Sequence, residues 1–450
     1  MARTSRLNRA LKIGLTMCFI SASAHAQSVA APPPSPVVVT LEDAIRGAQQ
    51  NEPTFARAQS DQQSAAIDHY LAKAALLPSA IYHNQALYTQ PNGERNQGGQ
   101  TGNQPAPIFI ANNAVREYAS QASINETVGL KQIADLRVAS AAAARTAAEL
   151  EVARRGLVLA VVNLYYAVAN ADRKLGLLTE ALNEAQAFTD LTQKREAARE
   201  VAHADVVKAD LERQQRQRDL TDARVAAERA RLELAVLLFP DPRTPYTTVV
   251  ATSIETLPRR EEVNSAAAAN NPEIRSALAS LQQSNAEVSA ARAAYVPDLS
   301  LNFTYGIDAP QFAKNGPDGV RNLGYSVSGT LDIPVWDWLS TQKRVKQSEI
   351  RRDVSRVSLT VAQRRLIADL DETYSEATAA RDELDLLDQS VRTAAESLRL
   401  TRLRYSAGEA TVLEVVDAQN AYTAAESAQA DGALRFQNAR ASLQVLTGSL

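Results

Sequence analysis

Glu414 and Asp417 lie three residues apart just past a glycine-marked break in a long helical run, a spacing that puts both on one helix face. Carboxylates so placed can work as a general acid and base pair, or simply solvate a helix start, where the dipole favours acids. Catalysis would need more around them. The chain has no HExxH run, no serine on a strand-turn-helix elbow and no phosphate-cradling glycine loop. His69, His83 and His203 lack metal-ligand spacing, and Cys18 is the only cysteine. The reading is of a protein that is not an enzyme and needs neither metal nor cofactor.

The segment that positions the two acids runs from Tyr405 to Gln419. Residues 335–450 contain no proline and only Gly408, Gly432 and Gly448, so Gly408 marks the end of one long helix, where a left-handed residue caps the last turn. Thr411 with Glu414 three residues on is a capping box that starts the next. Tyr405, Gly408 and Glu409 therefore sit at a hinge between two helices.

Residues 1–26 have the form of an export signal, with Arg3, Arg6, Arg9 and Lys12 ahead of an apolar stretch and Ala24-His25-Ala26 as a cleavage site. Bulky Met17 before Cys18 does not fit a lipid-anchor motif. Without the four basic residues, 44 Lys and Arg face 51 Asp and Glu, a formal charge of −7 that argues against nucleic acid as a partner. Residues 27–40 form a proline-rich leader, 41–240 a first repeat, 241–262 a linker and 263–450 a second repeat. Each repeat carries a helix, a strand pair and long helices. No run of about 20 apolar residues is present, so no transmembrane helix is expected.

The repeat is read from two offsets. Pro78 and Pro297, which end helices, are 219 residues apart. At an offset of 209, Leu191, Thr192, Arg195, Glu200, Val206 and Ala209 recur as Leu400, Thr401, Arg404, Glu409, Val415 and Ala418. Asp205 is then the partner of Glu414, and Arg199 stands where Gly408 does. With arginine there, the first-half turn is expected to be the more continuously helical.

Candidate strands cover 79–90 and 118–131 in the first half. In the second, Leu299, Leu301, Phe303, Tyr305 and Ile307 alternate with Ser300, Asn302, Thr304 and Gly306, and a similar alternation runs from Leu323 to Val335. Strands of 9–15 residues with one apolar and one small-polar face have the length that crosses an outer membrane, with the polar face toward a wet lumen. A spanning sheet must close, and four strands cannot close alone, so several copies would pool theirs. Trp336 and Trp338, just past the last strand, stand where interfacial aromatics anchor, or where ordinary strand-end core packing would bury them.

The chain resembles the TolC-like outer-membrane efflux proteins over nearly its whole length after the signal. The likeness is carried by Ala290-Ala291-Arg292-Ala293-Ala294-Tyr295-Val296-Pro297-Asp298-Leu299-Ser300, by Leu331-Asp332-Ile333-Pro334-Val335-Trp336 and by Tyr405 to Gln419. The resemblance implies a mainly α fold with membrane β structure. Tandem-duplicated long antiparallel helices would form a helical barrel in the periplasm, and four strands per protomer would join a trimeric twelve-stranded β-barrel. It implies a homotrimer in the outer membrane and its lipid, docked through a periplasmic adaptor on an inner-membrane pump, that conducts what the pump expels. It further implies an acidic ring of Asp205, Glu414 and Asp417 at the channel entrance, with Arg199, Tyr405, Gly408 and Glu409 at the turns. An arginine that restrains the entrance in some relatives falls here at Ala410. A periplasmic coiled-coil adaptor or a stalk without a pore is the alternative. Cargo is not legible: drugs, metal ions, siderophores and proteins all remain open.

Overall fold

The computed structural model describes residues 36–88, 116–249, 256–316 and 319–449. The export signal, most of the leader and the loop expected between the first two strands lie outside them. The described residues form α1 (Leu41–Asn51), α2 (Pro53–Ala74), β2 (Ser79–Tyr88), β3 (Arg116–Val128), α3 (Leu130–Ala197) and α4 (His203–Leu238). The same order then repeats as α5 (Arg260–Asn270), α6 (Pro272–Ala293), β5 (Asp298–Ala309), β6 (Leu323–Asp332), α7 (Ser340–Ser406) and α8 (Val412–Thr447).

Capping explains the helix starts. Thr40 and Asp43 make a reciprocal box before α1, and the Asn271 side chain accepts the Ile274 N–H at 2.9 Å before α6. Pro53 restarts rather than kinks the first helix, because Glu52 turns extended and its carboxylate takes the Phe55 N–H at 2.5 Å. α3 and α7, with 68 and 67 residues, each reach about 100 Å. They pack against α4 and α8 respectively as two coiled coils.

Two short strands were not legible. β1 (Val37–Val39) and β4 (Tyr246–Thr248) pair in parallel, so the end of the leader and the middle of the expected linker form one small sheet; the linker's last residues already belong to α5. The Tyr165 hydroxyl ties this sheet to α3, lying 3.0 Å from the Val39 carbonyl and 2.7 Å from that of Val249. α3 is the one helix among the described residues long and apolar enough to cross a membrane. Its apolar middle instead packs Leu157, Val161, Tyr165 and Val168 against α1, β1 and the end of α4.

β2, β3, β5 and β6 form one antiparallel sheet in that order, with β2 and β6 at open edges. One face carries the row Ala80, Ile124, Phe303 and Val327, and the next row Tyr82, Ala122, Tyr305 and Tyr325. The other carries Ser79, Asn125, Asn302 and Ser328, with Asn125 hydrogen-bonded to Asn302. Glu126 falls on the apolar face beside Leu301, as its position in the alternation requires. β6 stops at Asp332 rather than continuing to Val335, consistent with Pro334 having no N–H to give the ladder.

Gly306 lies opposite Gln121 in the β3–β5 pair. A Cβ there would overlap the Ser120 carbonyl oxygen and lie 2.5 Å from Gln121 Cα, both backbone atoms that no rotamer can move. Gly306→Val is expected to spread the two strands and cost about 1–3 kcal/mol or more. A lower midpoint of thermal unfolding followed on the β-sheet signal would register it; an unchanged midpoint would contradict it.

Candidate functional site

The two turns that the sequence pairs at an offset of 209 end as neighbours. Phe188 of α3, Ala209 of α4, Tyr405 of α7 and Val412 and Val415 of α8 share one buried cluster, with the Phe188 and Tyr405 rings 5.2 Å apart. The Thr189 hydroxyl, also buried, lies 3.1 Å from the Ala209 carbonyl and joins α3 to α4 just above. Four helix ends thus form a single packed tip.

The turns have the same backbone. In the second, the Glu409 N–H reaches the Arg404 carbonyl at 2.8 Å and Gly408 N–H reaches Tyr405 at 3.1 Å, with Gly408 at φ 80°. In the first, Glu200 reaches Arg195 and Arg199 reaches Glu196, both at 2.8 Å, with Arg199 at φ 62°. This paired bonding is the Schellman cap. The expectation of a more continuous helix at Arg199 is therefore wrong: two cap bonds hold an arginine in the left-handed region, which costs a non-glycine residue about 1–2 kcal/mol. Arg199→Gly should stabilise this turn by up to about 1 kcal/mol, since glycine gives back part of the gain as unfolded-chain entropy. Slower amide exchange across 198–202 is the expected readout; faster exchange would refute it.

Glu414 and Asp205 each serve their own helix start first. The Glu414 carboxylate accepts the Thr411 N–H at 3.1 Å and lies 3.2 Å from Arg404. The Thr411 N–H bond, joined by the Thr411 hydroxyl and the Arg404 charge, holds its carboxyl below the usual carboxylate range. That contribution to stability is present above the ordinary glutamate range and is lost as pH falls through the lowered value. Asp205 accepts the Ala202 N–H at 3.3 Å, one arm of a box whose other arm alanine cannot supply. Asp417 is exposed one turn into α8 and has no ion-pair partner among the described residues. Glu409 is exposed at the turn. Within one chain the three acids make no contact with one another; they sit on two helix starts that the tip core holds side by side.

Arg195 joins the two halves. Its guanidinium donates to the Tyr405 carbonyl at 2.9 Å and the Ser406 carbonyl at 3.2 Å, and lies 4.5 Å over the Tyr405 ring. Its repeat partner Arg404 instead donates to the Glu409 carbonyl at 3.1 Å as well as pairing with Glu414. Sequence reasoning picked out both arginines as a repeated pair without assigning either a role. Their place three or four residues ahead of a helix break, where free carbonyls attract cations, was the available signal. His203, away from any metal set, lies 2.7 Å from Glu196 across the first turn. Farther up the seam, Lys174 pairs with Asp431 at 2.7 Å and Arg402 with Glu184 at 2.6 Å.

At the other end of the long helices, Trp336 and Trp338 are 68% and 85% exposed, their rings edge-on 5.8 Å apart. They are not packed into this chain's core.

Residues 263–449 match the family model for outer membrane efflux proteins. The pyoverdine export outer membrane protein OpmQ of Pseudomonas putida is 24% identical over 87% of this chain and 82% of its own length. The outer membrane protein OprJ of Pseudomonas aeruginosa is 29% identical over 37% of this chain, a segment that spans only 34% of OprJ. The fold is that of the Campylobacter jejuni CmeC outer membrane channel, with a TM-score of 0.78 at 16% identity over 91% of this chain and 85% of that one.

Proposed function

We propose that the chain is a member of the outer membrane efflux protein family and that three copies form an outer-membrane channel for substrates expelled by an inner-membrane transporter. One observation carries the reading. The sheet order β2-β3-β5-β6 and the helix order α2-α3-α6-α7 are both open ribbons, each with two edges that end the ribbon among the described residues. Unpaired strand edges cannot face lipid, so the sheet must close on other copies. β2 and β6 run in opposite directions, and β6 of one copy can therefore pair antiparallel with β2 of the next all the way round. Twelve strands make a closed barrel in which the Ser, Asn and Thr face lines water and the apolar face meets lipid. Along α7, Ile350, Val354, Val357 and Val361 make an exposed stripe at helix-pairing spacing. That stripe continues the same seam down to the next copy's α2, whose Ile67, Tyr70 and Leu71 are exposed.

The helices then surround a periplasmic tunnel, and the packed tip is its inner entrance. Asp205, Glu414 and Asp417 of each copy line it and favour cations, while Arg199, Tyr405, Gly408 and Glu409 form the turns that move when a pump and its adaptor open it. Trp336 and Trp338 sit at the periplasmic face of the membrane. The duct itself performs no catalysis. Purified protein in a planar bilayer should give stable, cation-preferring channels. Absence of conductance from folded oligomers would favour a non-conducting adaptor or stalk.

A further inference from the structure

The joint between β6 and α7 has features that pore formation does not require. Trp338 and Leu339 stand in succession at φ 55° and 63°, a backbone region that bulky residues enter only at a cost. Asp337 holds the turn in place, its carboxylate accepting the Thr341 N–H at 2.7 Å and the Ser340 hydroxyl at 2.9 Å. The result keeps both indoles pointing off the chain, beside exposed Val335 and Ile333. Immediately beyond, Lys343, Arg344 and Lys346 are exposed on the first two turns of α7, and residues 338–348 contain no carboxylate. The first acid on α7, Glu349, is paired with Arg292 at 2.8 Å and only loosely with Lys346 at 3.9 Å.

The spacing of these groups matches a membrane surface. With the strands in the hydrocarbon, the indoles lie at its boundary, and the three cations fall about 5–9 Å further along the helix axis. A headgroup layer is about 5–8 Å deep. Indoles prefer that boundary, and clustered cations next to it attract anionic lipid. We propose that the β6–α7 joint of each copy binds anionic phospholipid of the periplasm-facing leaflet, Trp336 and Trp338 against the acyl boundary and Lys343, Arg344 and Lys346 on the phosphate. The inference rests on the outer-membrane reading and adds a headgroup preference to it.

The chain has only two tryptophans, so its tryptophan fluorescence, excited at the red edge where tyrosine does not absorb, reports on this joint alone. The full-length protein would be placed in nanodiscs of phosphatidylethanolamine containing a minor fraction of lipid brominated near the carbonyls, either phosphatidylglycerol or phosphatidylethanolamine. Quenching should need at least about tenfold less brominated phosphatidylglycerol than brominated phosphatidylethanolamine. In the triple variant K343Q, R344Q, K346Q the quenching should persist and the tenfold preference should vanish. Inorganic phosphate should not displace the lipid. Equal quenching by both lipids in the unmodified protein would overturn the headgroup assignment while leaving the membrane reading intact. Blue-shifted fluorescence quenched by neither lipid would mean that a second copy covers the indoles, and also overturns it. Solvent-exposed fluorescence in a protein that fails to enter nanodiscs would instead count against the outer-membrane reading itself.

Discussion

Replacing Asp417 by Asn should remove more of the channel's cation preference than replacing Glu414 by Gln. Glu414 is held by Thr411 and offset by Arg404, so each copy contributes little net charge from that position. Asp417 is exposed and has no ion-pair partner among the described residues, so three copies around a narrow opening would sum their fields. The expected result is a fall of several-fold in the cation-to-anion permeability ratio for Asp417→Asn, with weaker block by multivalent cations. Glu414→Gln should instead loosen the start of α8, seen as faster amide exchange over 411–416. Reversal potentials in asymmetric salt distinguish the two. An unchanged ratio in the double variant would rule out the proposed ring.

Arg195→Ala should open the tip of the isolated protein. The side chain makes two charge-assisted bonds to carbonyls at the end of α7 and a cation–π contact with Tyr405, and each such bond is worth about 1.5–3 kcal/mol. Non-additivity leaves a loss of about 2–4 kcal/mol in the contact between the two coiled coils. A channel held closed by that contact would then show a higher single-channel conductance without any pump. Arg195→Lys keeps the charge but not the forked geometry and should restore only part of the closure. Identical conductance in all three proteins would mean that closure resides elsewhere, with Ala410 already offering no arginine.

Where local chemistry decided the outcome, the sequence was readable. The alternation along residues 299–307 forecast β5 and both of its faces, and Thr411 with Glu414 forecast the start of α8, because each depends on residues within one or two turns. Other features depend on partners far along the chain. Three valines at 37–39 form a strand only because Tyr246–Thr248 lies beside them. Arg195 acts on carbonyls 210 and 211 residues away. The Arg199 turn misled for a different reason. A glycine is the cheapest left-handed residue, but two cap bonds and a packed tip suffice to hold an arginine there. Glu414 and Asp417 were located by their spacing past Gly408 and by the family resemblance, and Asp205 by the repeat, whereas the engagement of Glu414 and Asp205 by Thr411, Arg404 and Ala202 required coordinates.

The open ribbon also bears on inheritance. In the proposed three-copy ring, joined β6 to β2, every chain uses two different surfaces, so a chain damaged at one edge alone still offers the other to its neighbours. Such a subunit would be incorporated and leave the ring unclosed. Co-expressed in equal amounts with the intact protein, it would leave only about one ring in eight free of a faulty copy. A β6-edge lesion would therefore behave as dominant, whereas a chain too unfolded to present either edge would be recessive.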